Sequence, residues 1–172
     1  DVYKRQLLFS ERLDPAPLLY GGTGSQSFNL HMPDFYPDRL ESGTVNYPAI
    51  ASLAEGVLHL KSHFNEERDK LTHLTSLLIE RLNDLPFVRA YSRPNPFGIA
   101  AFSMEGYDSE QAAYRLSEEF SICVRGGLHC APLMHEALGT SDSGLIRASL
   151  SPFNTEREIE LFVSALKTMS AG

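Results

Sequence analysis

The chain has 172 residues and a mass of 19.1 kDa, room for one ordinary domain or for a small domain and part of another. A formal net charge of −7 and a pI near 5.3 argue against a nucleic-acid or anionic-membrane surface as the main partner, and no apolar run approaches the roughly 20 residues of a membrane helix. The cysteines are Cys123 and Cys130, and the start lacks the basic, apolar and small-residue pattern of a signal peptide, so a reducing, cytoplasmic setting is expected.

Residues 7–46 hold most of the turn signals: Pro15, Pro17, the run Gly21 to Ser25 (GGTGS), Pro33, Pro37 and Gly43. From Asn46, a good N-cap with Pro48 in the first turn, the pattern turns helical. Ile50, Leu53, Ala54, Val57, Leu58 and Leu60 form one stripe, and Leu71, Leu74, Leu77, Leu78 and Leu82 a second. The spacing predicts a long helix over 47–84, or a bent pair with a kink near Ser62 to Asn65.

The remainder, 85–172, alternates short strands with helices. Strands are predicted at Phe87 to Tyr91, Ile99 to Met104, Ser121 to Arg125 and Leu145 to Leu150. Asp108 with Gln111 offers a capping box for a helix ending near Phe120, and Thr155 with Glu158 offers another for the last helix. Between them Pro132 and Gly139 frame a short helix, PLMHEAL. Such interleaving implies a small two-layer α/β domain. There is no internal repeat.

The candidate chemistry gathers at Arg125 to Pro132, RGGLHCAP. A free thiol with a pKa near 8.5 is only about 3% thiolate at pH 7, so a nucleophilic Cys130 needs help. The helix start behind it, His129 and Arg125 are candidates for that help; the alternative is a cysteine filling a small apolar gap. Cys123, between apolar neighbours in the predicted strand, reads as such a buried filler. Strand alternation puts Arg147 on a mixed face, where its planar fork suits a carboxylate, although an ordinary surface ion pair would use the same residue. His129, Cys130 and His135 lack the paired spacing of structural zinc motifs, so no metal is expected. GGTGS lacks the spacing and lysine of a P-loop. Thr44, in RLESGTVN ahead of the long helix, stands where backbone N–H groups can hold a phosphate or simply where a helix is capped.

RLESGTVN, RGGLHCAP and RASLSPFNTEREI, in this order and at these separations, resemble the C-terminal half of the class V aminotransferases, from about Leu7 to Ala165. The branch they resemble most is the cysteine desulfurases of SUF-type iron–sulfur assembly, with selenocysteine lyases similar. The resemblance implies a fold type I pyridoxal 5′-phosphate enzyme. It divides the chain into residues 1–6 outside the pattern, the end of the large cofactor domain at 7–46, a connecting helix at 47–84 and the small domain at 85–172. It also implies that Cys130 takes the sulfur of L-cysteine as a persulfide while alanine leaves. Arg125 and Arg147, with His129 beside them, would hold the substrate. Thr44 would reach the cofactor phosphate across a homodimer interface, and Gly21, Gly22 and Thr23 would form a glycine loop near the same shared site. A sulfur-acceptor protein is a further implied partner.

The family's Schiff-base lysine follows a histidine, but Lys4, Lys61, Lys70 and Lys167 all stand elsewhere and no S-x-H-K pattern occurs. The expectation is therefore a C-terminal fragment, inactive alone, of such an enzyme. Another class V aminotransferase, a selenocysteine lyase, or a non-catalytic dimerising module would share these motifs.

Overall fold

The computed structural model describes residues 7–26 and 28–171; the expected non-family residues 1–6 lie outside them. The chain forms two compact units that meet in sequence at Ser62 and His63, inside a single helix, α1, Tyr47–Asn83. Asn46 caps that helix as predicted, its Oδ1 accepting the Ala49 N–H at 3.1 Å. The helix continues through Ser62 to Asn65, in keeping with the single long helix that was one of the two expected arrangements.

The first unit is mostly turns. Gly43 N–H donates to Gly22 O at 2.8 Å, which ties the glycine run to the segment ahead of α1. Asp14 accepts from Tyr36 Oη at 2.7 Å and pairs with Arg39 at 3.2 Å, and the rings of Phe9 and Tyr36 pack at 5.5 Å. The first predicted stripe is uncovered here: Ile50, Leu53, Val57, Leu58 and Leu60 are all exposed.

In the second unit the stripe is used. Leu74, Leu78 and Leu82 of α1 join Leu116 of α2 (Ser109–Phe120) and Ile159, Phe162, Leu166 and Met169 of α4 (Glu156–Ala171) in one core. The sheet's contribution comes from alternate residues of three antiparallel strands, β1 (Val88–Ala90), β2 (Ile99–Met104) and β3 (Ile146–Ser149), in the order β1-β2-β3. Phe102, Met104, Ile146 and Ala148 point inward, and Phe102 meets Phe162 edge to face at 5.9 Å. Arg147 and its partner Ala101 take the other face.

Both predicted capping residues act. Asp108 accepts from Glu110 and Gln111 N–H. Thr155 N–H donates to Glu158 Oε2 at 2.7 Å while Glu158 N–H returns to Thr155 Oγ1 at 3.3 Å, the reciprocal pair of a capping box. Pro132 opens α3 (Pro132–Leu138), and Gly139 closes it in the left-handed region.

Ser121 to Arg125 is not a strand. Ser121 takes φ 56° to end α2, and Ile122 N–H bonds back to Leu116 O at 2.9 Å, so the donor a ladder needs is spent on the helix. Arg125 alone pairs, as an isolated bridge to Arg147. With no strand to bury it, Cys123 is exposed, contrary to the filler reading; it lines a groove of about 550 Å³ with Ile122, Leu150 and Phe162.

Candidate active site

The backbone at Arg125 and Arg147 fixes the site. Each N–H donates to the other's carbonyl, at 3.1 and 2.7 Å, and residues paired in this way project to the same face. Two guanidinium groups therefore start side by side. Like charges placed opposite each other are unfavourable, yet among the described residues neither has a carboxylate partner. Arg147 Nε is moreover buried with no hydrogen-bond partner. A doubly positive fork of this kind suits a carboxylate.

Beyond Arg125 the chain turns sharply. Gly126 lies so close to α2 that a Cβ there would stand 2.4 Å from Ser109 O. Gly127 N–H donates to Ser109 Oγ at 3.1 Å, and the same hydroxyl donates to Ser143 O at 2.6 Å. Ser109, 5% exposed, thus pins the base of the loop to two other segments. Sequence reasoning passed over it, because nothing in a helix's first residue signals a tertiary junction.

Leu128 to Ala131 then forms a turn closed by Ala131 N–H to Leu128 O at 2.9 Å. Its central residues, His129 and Cys130, have φ 53° and 58°. Two positive φ values mark a type I′ turn, which Asn-Gly fills without strain. Two ordinary L-residues there cost about 1–2 kcal/mol each. The turn leaves Cys130 exposed, with its Sγ 3.8 Å from Arg125 Nη2.

His129 faces inward. A carbonyl can only accept, so the contact of Nε2 with Leu145 O at 3.0 Å places the ring proton on Nε2 and leaves Nδ1 a buried acceptor without a partner. Burial holds this imidazole below the usual histidine range; the bond to Leu145 opposes the shift, and the charges of Arg147 and Arg125 reinforce it. At neutral pH the ring is uncharged. In that form it lends Cys130 no positive charge, and the cation nearest the thiol is Arg125.

Gly21, Gly22, Thr23 and Thr44 belong to the first unit. The Gly43–Gly22 bond draws their two segments together, and a Cβ on Gly21 would approach Ser42 Cβ at 3.2 Å. Thr23 Oγ1 and Ser25 Oγ share a hydrogen bond at 2.9 Å. Thr44 is exposed and lines a cavity of about 840 Å³ with Ser42, Gly43 and Asn46. Uncharged hydroxyl donors of this kind fit a phosphate group.

Residues 4–162 match the aminotransferase class-V family, and the chain belongs to that family. It is 28% identical to a probable cysteine desulfurase of Methanothermobacter thermautotrophicus, across 90% of this chain and 40% of the relative. With the cysteine desulfurase CsdA of Escherichia coli it shares 28% identity over 88% of its own length and 37% of that protein. The crystal structure of CsdA in an S-sulfonic acid form superposes with a TM-score of 0.72 at 26% identity, over 89% of this chain and 38% of that one. The apo cysteine desulfurase of Thermococcus onnurineus gives 0.74 at 28% identity, over 89% and 39%. The fold is accordingly the C-terminal α/β part of fold type I enzymes, and the chain spans about two fifths of the length of these relatives.

Proposed function

We propose that the chain supplies the C-terminal part of a pyridoxal phosphate-dependent cysteine desulfurase, with Cys130 as the sulfur-accepting nucleophile. The observation that carries this reading is the unpaired Arg125–Arg147 couple with the Cys130 thiol 3.8 Å from Arg125 Nη2. A carboxylate binder beside an exposed thiol is what an amino-acid substrate carrying sulfur requires.

Arg147, with Arg125, binds the carboxylate of L-cysteine and sets the substrate's side chain toward Cys130. The Cys130 sulfur, beside Arg125, bonds as a thiolate to the substrate sulfur while the substrate's Cβ–S bond breaks and leaves its electron pair on Cβ. A persulfide stays on Cys130, and the substrate thiol's proton is made good on the new methyl group of alanine. His129, neutral and anchored to Leu145, orients the turn. When bound, pyridoxal phosphate supplies the electron sink that makes the substrate's Cα proton acidic. Thr44, Thr23 and the backbone of Gly21 and Gly22 would hold its phosphate, in a homodimer with shared sites. No lysine of these 172 residues stands in the S-x-H-K context of the Schiff-base lysine.

The test uses the full-length protein with L-cysteine. Alanine release and a gain of one sulfur on the Cys130 peptide are expected, and Cys130→Ala abolishes both. Full alanine release by the Ala variant would sink the reading.

A further inference from the structure

Helix α3 carries its polarity the wrong way round. Leu133, Met134 and Leu138 are exposed, at 78%, 59% and 39%, whereas His135 is 3% exposed and is the one buried residue of the helix. A buried histidine must find partners. Its Nδ1 lies 2.9 Å from Thr140 Oγ1; Thr140 is itself 4% exposed, and its N–H donates to His135 O at 2.9 Å. The other partner is a ring: His135 packs against His129 at 5.9 Å between centroids, inclined by 45°.

His129 opens the strained pair in the nucleophile's turn. Ordinary L-residues leave the left-handed region unless neighbouring structure holds them. The Leu145 carbonyl fixes Nε2 of His129, and the His135 ring packs beside it. The His135 ring in turn cannot swivel without breaking its bond to Thr140. We propose that His135, tied to Thr140, is a positioning residue that holds the His129–Cys130 turn left-handed and so keeps the Cys130 thiol beside Arg125. This rests on the reading of Cys130 as nucleophile and of the two arginines as its carboxylate clamp. An apolar residue at 135 would fill the same space but provide no directional tie.

The full-length protein carries its own reference, because Cys123 and Cys130 are both exposed in the second unit. Alkylation by iodoacetate, a carboxylate, and by neutral iodoacetamide is measured at each cysteine by peptide mass spectrometry. The arginine pair draws iodoacetate to Cys130, so the iodoacetate-to-iodoacetamide rate ratio at Cys130, divided by that at Cys123, reports how the thiol sits against the guanidinium groups. Thr140→Val, of nearly equal shape, and His135→Leu lower this preference by about fivefold or more. Thr140→Ser, which keeps the hydroxyl, restores it. Arg147→Met separates the two claims: if it leaves the preference intact, the clamp reading fails. If it removes the preference while Thr140→Val and His135→Leu keep the wild-type value, the positioning role is overturned. A wild-type chain with no preference overturns both. Should Thr140→Val lose its thermal transition, His135→Asn decides, since it keeps a polar atom at the Nδ1 position while removing the ring packed on His129; an unchanged preference there refutes the proposal.

Discussion

In Arg147→Met the side chain keeps most of the arginine's stem but loses the charge and every N–H donor. The buried, unpartnered Nε of Arg147 is a liability to the fold, because such a donor costs about 1–3 kcal/mol. Its place opposite Arg125 adds a few tenths to about 1 kcal/mol of like-charge repulsion. The residue as a whole is only partly buried, so the lower end applies, and removal should stabilise the second unit by about 1 kcal/mol. That corresponds to a rise in Tm of about 4 °C or more. Calorimetry reads it directly; near-ultraviolet dichroism would rest on tyrosines, since the chain has seven and no tryptophan. If Arg147 holds the substrate carboxylate as proposed, the same substitution removes a charge-assisted bond of about 1.5–3 kcal/mol, so KM for cysteine in the full-length protein should rise about 10- to 150-fold. A Tm lowered by several degrees with KM unchanged would refute the reasoning and make Arg147 a structural residue.

Three further perturbations probe the frame of the site. Because burial lowers the pKa of His129, the unfolded chain takes up its proton first; stability from this residue is full above the ordinary value of 6.5 and declines as pH falls below it. The Tm difference between wild type and His129→Gln, followed from pH 7.5 to 5, should shrink accordingly. Gly126→Ala drives a Cβ to 2.4 Å from Ser109 O and 2.7 Å from Glu110 Cα, both backbone atoms, and is expected to cost about 1–3 kcal/mol in urea unfolding. Thr155→Ala removes the cap of α4 and about 1 kcal/mol. It also removes the Thr155 hydroxyl's bond to Glu158 but keeps the backbone N–H that, first among its partners, holds this carboxyl below its usual range; the stability Glu158 contributes is present above its ordinary pKa and lost in acid, so the variant should show only a slightly weaker acid dependence.

Helix ends were the most legible part of the sequence. Asp108, Pro132 with Gly139, and Thr155 with Glu158 act through bonds to residues a few positions away, so local spacing contains the whole interaction. The run Ile122 to Val124 has strand propensity, but a strand exists only with a partner, and the left-handed Ser121 had already committed Ile122 to α2. Cys123 was misplaced for the same reason. The stripe from Ile50 to Leu60 shows that periodicity identifies a helix without saying what covers it. At the site, the alternation of β3 places Arg147 correctly, whereas its bridge to Arg125, the inward turn of His129 and the Ser109 junction join segments far apart in sequence. Nor does His-Cys announce a type I′ turn, whose usual signature is Asn-Gly.

That turn also sets a direction for evolution. A selection for thermostability alone would place glycine at position 130, which its left-handed backbone prefers, and would erase the Cys130 thiol in a single favourable step. Homologues that have lost catalysis should therefore drift toward glycine at position 130 sooner than toward serine or alanine. On the reading proposed for Cys130, a cysteine kept there against this pull marks a thiol still in use.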